Sequence, residues 1–106
     1  MFPGGMNLGK FGKQFEDMQK KLQRVEADLK ERVVEATSGG GMVKVMVNGA
    51  EEVVNIKIEK DVINPDDKGM LEDLVLAAVN EGVKKAKKLR EAELQKVTGM
   101  VLPGLM

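Results

Sequence analysis

The chain has 106 residues, room for one domain, and a domain of that size buries only about two-thirds of the surface its unfolded chain exposes. Its 17 basic and 17 acidic side chains cancel, so the placement of each sign carries more information than the sum. The absence of cysteine and histidine excludes disulfides, a thiolate nucleophile, a Cys/His zinc site and imidazole acid–base chemistry.

No run approaches the roughly 20 apolar residues of a membrane span, and the start lacks the layout of a signal peptide, so a cytoplasmic protein with no membrane partner is expected. Residues 1–7 hold Pro3, Gly4 and Gly5 with little to bury, and form an expected flexible N-terminus. A single domain then spans 8–97.

From Leu8 the pattern changes. Leu8, Phe11, Phe15, Met18, Leu22, Val25 and Leu29 recur at alternating spacings of three and four, a narrow stripe that predicts a helix over about residues 7–32. A coiled-coil strand and a helix docked on a neighbour fit that stripe equally well. Lys10, Lys13, Lys20, Lys21 and Arg24 cluster on the opposite side, with Asp17 and Asp28 among them.

Arg32 to Thr37, with Val33 and Val34, is β-prone and predicts a strand beside the hairpin that follows. The run Ser38-Gly39-Gly40-Gly41 leads into a strand, not the helix that a phosphate-cradling loop opens, so it reads as a turn. In the hairpin, Val43, Val45 and Val47 alternate with Met42, Lys44 and Met46, and Val54, Ile56 and Ile58 resume the period of two after Asn48-Gly49. One sheet face is therefore expected to be continuously β-branched. Asn48-Gly49 is expected to supply the positive φ values of a tight turn, with Ala50-Glu51 able to extend it into a bulge.

The acidic stretch from Glu59 to Asp73 invites a metal reading. A helix start explains it more simply: Asn64 caps, Pro65 takes the first position and Asp66 and Asp67 favour the positive end of the dipole. The helix is expected over about 65–97, with Leu71, Val75, Ala78, Gly82, Ala86 and Leu89 on one thin face that lets a neighbour approach closely. Its second half carries Lys84, Lys85, Lys87, Lys88 and Arg90, five basic residues in the seven from 84 to 90. The bland reading of that cluster is a solvated face near a helix C-terminus. Residues 98–106 form an expected apolar tail, too short to cross a bilayer.

Both helices outrun the hairpin, since 33 helical residues rise about 50 Å and a six-residue strand covers about 20 Å. Apolar residues along their whole length predict a second copy, most simply a two-fold homodimer. The core and dimer candidates are Phe11, Phe15, Met18, Leu22, Val25, Leu29, the six hairpin residues named above and Gly82.

The segments Gly39–Val45, Asn48-Gly49, Glu52-Val53, Ile56–Ile58, Met70–Leu74 and Ala77–Gly82 together resemble the YbaB/EbfC family of bacterial nucleoid-associated proteins. The resemblance covers nearly the whole chain. It implies an α+β fold of helix, three-stranded antiparallel sheet and long helix, paired into a tweezers-like homodimer that binds duplex DNA in the nucleoid. The residues themselves are compatible with this. Lysine and arginine on two long helices suit phosphate, whereas Phe2, Phe11 and Phe15 are the sole aromatic residues and provide poorly for stacking single strands. No recognition-helix pattern is present, so little sequence specificity is expected. The DNA-binding candidates are Lys10, Lys13, Lys20, Lys21, Arg24, Lys84, Lys85, Lys87, Lys88 and Arg90. An adaptor that docks proteins through its helix ends and apolar tail is the alternative. No nucleophile–base pair, nucleotide loop or ligand cluster supports an enzyme, a cofactor, a metal or a small-molecule substrate.

Overall fold

The computed structural model describes residues 8–101. Its elements are α1 (Leu8–Glu31), β1 (Val33–Ser38), β2 (Val43–Asn48), β3 (Val53–Ile58) and α2 (Lys68–Val101), the expected α+β order. The strands form one antiparallel sheet in the order β1-β2-β3.

Two local expectations are corrected. The hairpin does not turn on positive φ at Asn48-Gly49; the left-handed residue is Glu51, at φ 66°. Asn48 builds the loop with its side chain instead. Its Oδ1 accepts the N–H groups of Ala50 and Glu52, both at 3.0 Å, and its Nδ2 donates to Glu52 at 3.1 Å. Gly49 is needed for close approach, because its N–H donates to the carbonyls of Leu29 and Arg32 at 2.8 and 3.0 Å. A Cβ there would lie 2.7 Å from the Leu29 carbonyl oxygen. The second correction concerns the start of the long helix. The Asn64 side chain accepts from Asp66 N–H and caps only the 3-10 turn Pro65–Asp67, after which Asp67 accepts from Met70 N–H at 3.3 Å as α2 begins. At the other end α2 runs on to Val101, so residues 98–101 of the expected tail are helical. Residues 1–7 and 102–106 lie outside the described part.

The core lies between the sheet and α2. Val43, Val45 and Val47 are fully buried against Ala78 and Ala86, with Val62 closing one end. The thin face of α2 makes this possible: a Cβ on Gly82 would sit 2.7 Å from Val47 Cγ2. The glycines Gly39–Gly41 all take positive φ and turn the chain from β1 to β2, and Ser38 Oγ donates to the Leu74 carbonyl at 2.6 Å beside them.

The hairpin face is buried only in part, because α2 lies over β1 and β2 and scarcely touches β3. Ile58 and Ile56 pair with Val43 and Val45, yet Ile56 stays 43% exposed. A register shift after Met46 pairs Val47 with Val53, which leaves Val54 unpaired and 53% exposed.

Moving backwards from β1 into α1, the neighbours on α2 climb steadily. Ser38 meets Leu74, Ala36 faces Gly82, Glu35 accepts from Lys85 and Glu26 pairs with Arg90. The chain from α1 through β1 therefore runs antiparallel to α2, and the molecule is elongated, 76 × 21 × 20 Å. The first half of α2 backs the sheet, and its second half forms an arm with α1.

Candidate nucleic-acid interface

On the arm, one side of α1 turns towards α2. Leu29 is fully buried and Met18, Leu22 and Val25 are half-buried, as their spacing requires. Phe11 and Phe15, candidates for a core or dimer contact, continue that stripe and are 62% and 59% exposed in the single chain.

Ion pairs hold the arm together. Arg90 donates from both terminal nitrogens to Glu26, the Nη1 bond measuring 2.6 Å to Oε2. Arg32 and Lys96 both reach Glu93, each at 3.0 Å. The Arg90 hydrogen bonds hold the Glu26 carboxyl below the usual carboxylate range against the opposing effect of burial, and Glu26 in turn raises Arg90. Hydrogen bonds from Lys96 and then Arg32 lower Glu93 in the same way.

These contacts sort the basic candidates. Arg90 is spent on Glu26, and Lys85 Nζ donates to the Glu35 carbonyl at 3.0 Å, so both brace the fold. Lys84, Lys87 and Lys88 point outward and are exposed. On α1, Lys10, Lys13, Lys20 and Arg24 are exposed and Lys21 is half-buried; Lys20 has a long 3.8 Å contact to Glu16. Because Glu26 meets Arg90 and the two helices are antiparallel, Arg24 lies level with Ala92, about 6 to 8 Å along the arm from Lys88 and Lys87. No carboxylate lies between Glu81 and Glu91, so the outer face of α2 is positive over two turns.

A second surface went unnoticed in the sequence. Ile58, Leu71, Val75, Leu76 and Val79, with Glu72 at the margin, line an apolar groove along the side of α2 that faces uncovered β3. Leu76 is 59% exposed there. Leu76 and Val79 fall off the face counted by helical spacing, so the groove emerges only once the sheet is seen to sit to one side of α2. Among the described residues no acidic group could hold a metal ion, and no helix is long and apolar enough to cross a membrane.

The chain is similar to proteins of known name over almost its full length. A nucleoid-associated protein of Thermoanaerobacter pseudethanolicus is 46% identical over 105 residues, covering 98% of this chain and 95% of the relative. A nucleoid-associated protein of Acetivibrio thermocellus is also 46% identical, with the same coverage of each. The crystal structure of an uncharacterized protein from Helicobacter pylori superposes with a TM-score of 0.80 at 28% identity, covering 89% of this chain and 99% of the other. A model of the YbaB/EbfC DNA-binding family matches residues 4–101, and with these likenesses in sequence and fold the chain belongs to that family.

Proposed function

We propose that the chain acts as a homodimer that binds duplex DNA with little sequence specificity and associates with the nucleoid. The observation that carries the reading is the outward projection of Lys84, Lys87 and Lys88 from a carboxylate-free stretch of α2. Ammonium groups so placed act on phosphate as point charges and release condensed counterions, which gives affinity without base readout. Lys84, Lys87 and Lys88 carry ammonium groups, not the side-chain amides and guanidinium forks that read base edges. Two copies give the arms their purpose. A second chain seated on the Ile58, Leu71, Val75, Leu76 and Val79 groove covers β3 and sets two positive arms in one frame.

The test is a salt titration of duplex binding. The variant carrying Lys84→Glu, Lys87→Glu and Lys88→Glu should bind more weakly and show a shallower dependence of log K on log salt, by about 0.9 for each phosphate that is no longer neutralised. Unchanged affinity and slope, in a variant that remains folded and paired, would remove this face from the account.

A further inference from the structure

Asn48-Gly49 is the only asparagine–glycine step in the chain. In a free peptide such a step is chemically labile, because glycine has no side chain to obstruct attack by its own nitrogen. Base removes the glycine N–H proton, the nitrogen bonds to the asparagine Cγ, and the side-chain nitrogen leaves as ammonia. Water then opens the cyclic imide at either carbonyl, giving aspartate or, where the main chain is rerouted through the side chain, isoaspartate.

The fold holds every atom of that reaction in place. Gly49 is buried, and its N–H donates to the carbonyls of Leu29 and Arg32 at 2.8 and 3.0 Å. Asn48 is 5% exposed; its Oδ1 accepts from Ala50 and Glu52 N–H, both at 3.0 Å, and its Nδ2 donates to Glu52 at 3.1 Å. Both acceptors of the Gly49 proton come from the end of α1 and the residue that follows it. The attacking nitrogen is therefore released only when that end of α1 lifts away.

We infer that Asn48 is a deamidation site, opened by local release of α1 from Gly49, and that conversion there prevents α1 from settling back. Aspartate sets a carboxylate oxygen where Nδ2 donated to Glu52, so two like charges face each other at the base of the arm. Isoaspartate inserts one carbon into the main chain beside Gly49, where even a Cβ would lie 2.7 Å from the Leu29 carbonyl oxygen. Either product leaves the sheet intact and removes the seat of α1, whatever the arm binds.

The Gly49 N–H supplies its own reference, since loss of the same proton starts both hydrogen exchange and ring closure. In the full-length protein at mildly alkaline pH, conversion of Asn48 is followed by peptide mass in a urea series that stops short of unfolding the sheet. It should rise in parallel with exchange at Gly49 while the amides of Val43 and Val45 stay protected. In native buffer it should run slower than in the unfolded chain by about tenfold or more. Equal rates in the folded and unfolded chain overturn the inference, and so does conversion that waits until the sheet itself unfolds. On the product side, Asn48→Asp should raise amide exchange several-fold over residues 26–32 and leave β2 unchanged; unaltered exchange there overturns it as well. Aged wild-type protein, separated by its added charge, supplies the same comparison should that variant fail to fold.

Discussion

Gly49 and Gly82 differ in what stands in front of them, and that difference fixes the cost of a methyl group at each. At Gly49 the obstacle is the backbone oxygen of Leu29, which cannot swing aside, whereas at Gly82 it is one methyl of Val47. Gly49→Ala should therefore lower stability by about 3 kcal/mol. Gly82→Ala should lose a net of about 1 kcal/mol, since better helix propensity returns part of the overpacking cost. Urea unfolding checks the order, and a Gly82 variant less stable than the Gly49 variant would contradict it. The sequence announces both glycines but not their reasons. Asn-Gly looks like a turn that wants positive φ, yet here the amide side chain of Asn48 organises the loop and the glycine lets α1 close upon it. That reason depends on Leu29, twenty residues away, and no local pattern contains it.

At the scale of elements, periodicity located both helices and the two hairpin strands, because each must show one apolar face to something, and β-propensity located the first strand. It could not say how far each partner reaches. The residues of α1 from Met18 to Leu29 are buried or half-buried, and Phe11 and Phe15 stay exposed in the single chain, although all six carry the same spacing. Likewise Val54 and Ile56 alternate correctly and remain uncovered, because α2 lies over the other two strands. The basic candidates divided for the same kind of reason: Arg90 faces Glu26 across the arm, and residues 64 positions apart give no local sign of meeting. That pairing makes the arm sensitive to acid. Glu26 and Glu93 titrate below their ordinary range in the folded chain, so their contribution is present above a carboxylate's usual pKa of about 4.3 and is lost as pH falls through their lowered values. Both pairs are solvent-accessible and their effect is small. Amide exchange along α1 should accelerate relative to the sheet below about pH 4, and Glu26→Gln should show part of that loosening already at neutral pH. A pH-independent ratio of arm to sheet exchange would count against the ion pairs as the clasp.

On the whole molecule the separation of tasks is the main result: a sheet-backed half with an apolar groove, and an arm with outward lysines. Leu76 belongs to the groove and is already exposed in the single chain, so Leu76→Glu should leave each copy folded while separating copies from each other. Sedimentation with circular dichroism reads both properties at once; a variant that stays paired would place the partner elsewhere. The sequence argued for a second copy from two long helices that carry apolar residues along their whole length and outrun the hairpin, whereas the proposed seat lies beside β3. The placement of the core has one further consequence, for synthesis. The valines of β2 are shielded by Ala78, Gly82 and Ala86, all from a helix made after the hairpin. While a ribosome is still translating the later segment, the emerging hairpin has no lid, and a stalled or cleaved chain ending before α2 presents a bare β-rich surface ready to aggregate.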